Sequence, residues 1–92
     1  MIKSFADKDT RALFEGGDPR RFRAFRVQAE RKLALLDAAT TLEFLRSPPG
    51  NRLEALTGDR KGQWSIRINQ QWRLCFCWQD GNAYDVGIVD YH

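Results

Sequence analysis

Residues 64–78 read "WSIRINQQWRLCFCW", and the spacing of their large side chains decides the fold. Trp64, Ile66 and Ile68 recur at every second position, as do Trp72, Leu74, Phe76 and Trp78 after a polar break at Asn69–Gln71. A period of two is that of a strand with one buried face, so the segment predicts two antiparallel strands joined by a tight turn around Asn69 and Gln70. The opposite parity carries Ser65, Arg67, Asn69, Arg73, Cys75 and Cys77. One face therefore needs a hydrophobic cover, and the other is left half-polar with two guanidinium groups.

Outward from this pair the pattern continues. "QDGN" at 79–82 holds an Asp-Gly hairpin signal and leads into "AYDVGIVDY" at 83–91, while "RLEAL" at 52–56 precedes it across the loop "TGDRKGQ". Four strands with short connections form a meander. Before "SPPGN" at 47–51 the period changes to three and four: Phe22, Phe25, Ala29, Leu33 and Leu36 build one apolar stripe. Asp18 and Pro19 mark a helix start there, and the helix is expected to run to Asp37–Ala39. Thr40 and Glu43 fit a capping box for one more turn over Leu42–Leu45. "MIKSF" reads as a strand, followed by a short helix capped by Asp7 or Asp9 and ended by "EGG" after Phe14. The expected architecture is α+β, one domain over residues 1–92, with N-terminal helices packed on one face of a curved antiparallel β-sheet.

Composition sets the functional limits. Of 92 residues, 42% are hydrophobic and 29% charged, the balance of a folded globular chain. The longest apolar run is Leu33–Leu36, and the first residues lack the apolar core of a signal peptide, which points to the cytoplasm and away from membranes. Cys75 and Cys77 share a strand face too far apart for a disulfide and read as reduced. With one histidine and two cysteines, and no glycine-rich loop opening a helix, metal and nucleotide-cofactor chemistry lacks its ligands. Net charge is +3, and Arg20, Arg21, Arg23, Arg26, Arg31 and Lys32 cluster against the single acid Glu30. Such a face is either solvated surface or a contact for a polyanion such as RNA.

What remains is acid/base chemistry with cationic support. Cleaving RNA without a metal needs a base for the 2′-OH proton, an acid for the leaving oxygen, and cations around the phosphoryl oxygens. Glu54, Arg73, Asp90, Tyr91 and His92, with Arg60 and Lys61 in the 57–63 loop, supply those groups; Arg67 stands on the same face as Arg73. The single histidine is the side chain whose ordinary titration lies nearest neutrality, so proton transfer falls first on His92. Arg73 could hold a phosphate in bidentate fashion or be a plain surface arginine; the residues alone leave both readings open. The three tryptophans fall on the core parity, which favours packing over base stacking.

The words "NRLEALTGDRKGQWSIRINQQWRLCFCW" and "VDYH", in this order of elements, resemble the HigB type of toxin in the RelE/ParE superfamily, over nearly the whole chain. The resemblance implies a ribosome-dependent endoribonuclease, an mRNA interferase, that inhibits translation and is neutralised by a HigA-like helix-turn-helix antitoxin. Operator DNA is then reached only through the antitoxin, and the direct partners are mRNA and the 70S ribosome. Position by position, Arg73 matches the family's phosphate-stabilising arginine, Asp90, Tyr91 and His92 its catalytic cluster, and Arg60 and Lys61 its basic loop. The chain departs from the common His-Pro-Leu-Lys-Gly-Asp-Arg word, having Glu54 and Thr57 where histidine and lysine usually stand, which implies a mild toxin with Glu54 as substitute base. Two other classes stay open: a gyrase-poisoning, protein-binding inhibitor like the ParE branch, and a catalytically weakened RNA-binding module. A regular last strand would set His92 on the face of Tyr84, Val86 and Ile88, so a bulge is needed to aim it at the groove.

Overall fold

The computed structural model describes residues 1–47 and 49–90. Among them are helices α1 (Lys8–Phe14), α2 (Arg26–Ala38) and α3 (Leu42–Arg46), and strands β1 (Glu54–Ala55), β2 (Trp64–Arg67), β3 (Trp72–Gln79) and β4 (Asn82–Asp90). The strands form one antiparallel sheet in the order β1-β2-β3-β4, as the meander predicts. Asp80 and Gly81 both take positive φ, 52° and 77°, the backbone that an Asp-Gly hairpin turn requires.

One core lies between the helices and the sheet. Leu13, Phe22, Leu33, Leu36 and Leu45 from the helical side meet Ile66, Leu74, Phe76, Val86 and Ile88, and Trp64, Trp72 and Trp78 pack at its margins. No helix among the described residues is long and apolar enough to cross a membrane.

The expected single helix from Pro19 divides in two. Arg20–Phe25 form a 3-10 helix, and the α-helix begins only at Arg26. In a 3-10 turn residues three apart eclipse, which drops both Phe22 and Phe25 onto Trp72 at centroid distances of 5.9 and 4.9 Å. Asp18 does not cap: its carboxylate pairs instead with Arg23 and Arg26 at 3.1 and 3.4 Å. The cap of α3 is Thr41 rather than Thr40, its hydroxyl accepting from the Phe44 amide at 3.2 Å. The first strand is reduced to two paired residues.

"MIKSF" is not a full strand. It runs parallel to β4 with isolated bridges, Ile2 to Ala83 and Phe5 to Val86, and there it fastens a bulge. Cys75 pairs with Gly87 but Cys77 with Tyr84, so β4 carries one extra residue at Asp85–Val86, and Asp85 has φ 52°. The Asp85 amide donates to Ser4 Oγ at 2.9 Å, holding the irregular turn. The bulge reverses the alternation: Tyr84 lies on the Cys77 face, whereas Val86 and Ile88 lie in the core. The expected common face of Tyr84, Val86 and Ile88 is thus split.

Candidate active site

Arg73 projects from β3 away from the helices and is only 7% exposed. Its guanidinium is fixed by neighbours that include Ser65, Arg52 and Glu54: Nε donates to Ser65 Oγ at 2.8 Å, Nη2 donates to the Arg52 carbonyl at 2.6 Å, and Nη1 stands 3.9 Å from Glu54 Oε1. Glu54 itself is half-exposed, so its carboxylate is open to the groove. The guanidinium of Arg73 is therefore held in a fixed orientation, and a positive charge located in this way can stabilise an anion.

The carbonyl that clamps Arg73 is itself set by unusual backbone. Arg52 has φ 46°, a left-handed conformation that is uncommon outside glycine, and it follows the fully buried Asn51. Asn51 Nδ2 donates to the Leu45 carbonyl at 3.0 Å, and its Oδ1 accepts from Lys32 Nζ. Burial pushes the Lys32 ammonium below its ordinary range. This polar pin ties α2 and α3 to the segment beneath Arg73.

Arg52, Glu54, Arg67, Asn69, Gln70 and Arg73 line an open groove of about 220 Å³. The structure thus brings together three residues proposed from sequence, Arg73, Glu54 and Arg67. Asp90 ends β4 opposite Trp72, one residue beyond Val89, the cross-strand partner of Arg73; its carboxylate accepts from Gln71 Nε2 at 3.2 Å. Tyr91 and His92 lie outside the described residues. Arg60 and Lys61 are exposed in the β1–β2 loop, with Arg60 donating to Gln63 at 3.2 Å. Arg60 reaches the site electrostatically: burial pushes the Cys75 thiol up, while Arg60 and Arg73 act against that rise. Cys75 is accordingly a protonated thiol at neutral pH and not a nucleophile.

Arg20, Arg21, Arg23 and Arg26 stand in the helical layer, across the sheet from the groove. Arg21 pairs with Asp9 at 3.7 Å, Arg23 with Asp18, and Arg26 with both Asp18 and Glu30. The face with no helix over it is also more closed than the alternation implies, since Ser65 and Cys75 are buried beneath Arg73 and the Arg52–Glu54 segment. Sequence reasoning missed Arg52 and Gln70 as groove residues and Asn51 as their support. Ser65 shares the parity of Arg73 on the neighbouring strand and was legible; the left-handed turn at Arg52 left no signal.

Residues 3–92 match the model of a family described as the RelE-like toxin of type II toxin-antitoxin system HigB. Toxin HigB-1 of Vibrio cholerae is 46% identical over 96 residues, covering 100% of this chain and 98% of that protein. Endoribonuclease HigB of Proteus vulgaris is 38% identical over 93 residues, covering 100% of both. Among solved structures, a YoeB–YefM complex from Staphylococcus aureus aligns with a TM-score of 0.58 at 17% identity, covering 100% of this chain and 98% of that one. A heterotetrameric YoeB–YefM toxin-antitoxin complex from the same organism gives 0.59 at 18% over the same shares. The latter two establish likeness of fold. With nearly every residue matched and relatives similar from end to end, the chain belongs to the HigB family of RelE-like toxins of type II toxin-antitoxin systems.

Proposed function

We propose that this toxin is a metal-independent endoribonuclease that cleaves mRNA on the ribosome, in the cytoplasm, acting as one unit over residues 1–92. The observation that carries this reading is the Arg73 guanidinium, buried, held on three sides and facing a groove beside the Glu54 carboxylate. The name of the Proteus vulgaris relative, an endoribonuclease, supports it.

In this mechanism Glu54 takes the proton of the 2′-OH, and the 2′-oxygen attacks the adjacent phosphorus. Arg73 stabilises the charge gathering on the phosphoryl oxygens. The bond to the 5′-oxygen breaks, and His92 supplies the proton to that leaving oxygen, with Tyr91 assisting and Asp90 orienting the pair. The products are a 2′,3′-cyclic phosphate and a free 5′-hydroxyl. Arg60 and Lys61 hold the RNA at the loop, and Arg20, Arg21, Arg23 and Arg26 contact ribosomal RNA. A HigA-like antitoxin with a helix-turn-helix domain neutralises the toxin and carries the complex to operator DNA.

Primer extension on mRNA with purified ribosomes tests the scheme. His92→Ala and Arg73→Lys should each lower the cleavage rate by about 10²–10⁴-fold, the range for a proton-transfer group or an electrostatic stabiliser. Antitoxin binding and the circular dichroism spectrum should not change. Full cleavage by both variants would overturn the mechanism, as would intact mRNA accompanied by gyrase-dependent DNA breaks in cells making the wild type.

A further inference from the structure

Arg67 and Arg73 are direct cross-strand partners in the β2–β3 ladder, on the face away from the helices. Like charges placed opposite each other in a sheet repel, and among the described residues Glu54 is the one acid lining the groove, beside Arg52, Arg67 and Arg73. The two guanidinium groups do not converge. Arg73 leans toward Ser65, Arg52 and Glu54 at the β1 side, whereas Arg67 Nε donates to the Asn69 carbonyl at 3.1 Å, toward the β2–β3 turn. One backbone acceptor thus aims Arg67 and leaves its remaining N–H groups for a ligand. The groove therefore presents two separate cationic points along one line, with Asn69 and Gln70 at its far end.

From this divergence we infer that Arg67 forms a second phosphate subsite, holding the phosphate next to the one at Arg73 in a single-stranded RNA. The inference rests on the proposed ribonuclease function for the first phosphate and assigns a separate role to Arg67. At about 220 Å³ the groove is smaller than the roughly 300–1,000 Å³ of pockets that enclose a small molecule, so it tracks a phosphodiester segment and does not swallow a base. Arg67 acts on binding and register: with the neighbouring phosphate anchored, the reacting phosphate is fixed opposite Arg73 and Glu54. The Gln70 side chain, at the end of this line, then lies beside the nucleotide that follows.

The test is equilibrium binding of a short single-stranded oligoribonucleotide bearing 2′-O-methyl groups, which block cleavage, measured by fluorescence anisotropy across a salt series. Arg67→Gln should weaken binding about tenfold, the loss of one charge-assisted contact. It should also reduce the slope of log affinity against log salt by about 0.7, the value of one phosphate on a single strand. Arg67→Lys should restore the slope, because the charge returns. An unchanged slope in Arg67→Gln overturns the subsite, as does a fall that Arg67→Lys does not reverse. If the slope responds to Arg67 while wild type leaves mRNA intact on ribosomes, the subsite stands and the catalytic reading fails.

Discussion

Asn51 carries no charge and enters no proton transfer, yet the geometry of Arg73 depends on it. Its side chain joins Lys32 on α2 to the Leu45 carbonyl on α3, immediately before the left-handed Arg52 whose own carbonyl accepts from Arg73. Asn51→Ala strands the Leu45 carbonyl and the half-buried Lys32 ammonium, which costs about 1–3 kcal/mol and several degrees in thermal unfolding. Cleavage should fall further than stability predicts at temperatures where the variant stays folded, since the clamp on Arg73 loosens. Cys75 offers a second check through pH. Its thiol is raised above 9.0 by burial, so the folded state holds the proton more tightly than the unfolded chain does. The stability linked to that proton is fully present below pH 9.0 and is lost as pH rises through the folded value. Lys32, lowered from 10.5, works in the opposite sense over the same alkaline window, so the comparison must be made against a variant lacking the thiol. Urea unfolding under reducing conditions should show wild type losing stability relative to Cys75→Ala as pH rises above 9.0.

At the scale of elements, the sheet was legible because its strands alternate cleanly, and the helical stripe because its period is unmistakable. The details that shape the site were not, since each depends on a tertiary partner. Asp18 reads as a helix cap, but two arginines capture its carboxylate, and the eclipsed packing of Phe22 and Phe25 on Trp72 favours a 3-10 turn. The bulge at Asp85 follows from Ser4, eighty-one positions away, and no local pattern encodes that contact. Just beyond the bulge, Thr10 Oγ1 donates to Asp7 Oδ2 at 2.9 Å and accepts from the Ile88 amide at 3.1 Å, so the cap of α1 also aligns the end of β4. Gly87 permits the approach, because a Cβ there would sit 3.2 Å from Ala6 Cβ. Thr10→Val keeps the shape but leaves a buried amide unpaired, and should lower the unfolding free energy by about 1–3 kcal/mol. Thr10→Ser keeps the hydroxyl and should lose less than half as much, a contrast that chemical denaturation resolves.

Across the whole molecule, positive charge lies on two opposed sides of the sheet, and the two sides are built differently. In the helical layer the arginines meet acids, with Arg21, Arg23 and Arg26 paired to Asp9, Asp18 and Glu30 at 3.1–3.7 Å. In the groove three arginines face Glu54, and burial fixes Arg73 in place. Exposed ion pairs are screened and weak, so the helical layer presents a diffuse field suited to a large polyanion, whereas the groove presents located charges suited to a single strand. The proposed action on ribosome-held mRNA calls for both kinds of surface, facing opposite ways. The separation predicts independent losses: the triple variant Arg20→Glu, Arg21→Glu, Arg23→Glu should reduce co-sedimentation with ribosomes by tenfold or more at about 0.1 M salt, where charges within about 10 Å still interact. The same variant should bind the 2′-O-methyl oligoribonucleotide within about twofold of wild type, because its substitutions lie in the helical layer and none of them lines the groove. Parallel losses in both assays would mean that one continuous surface, and not two, engages RNA.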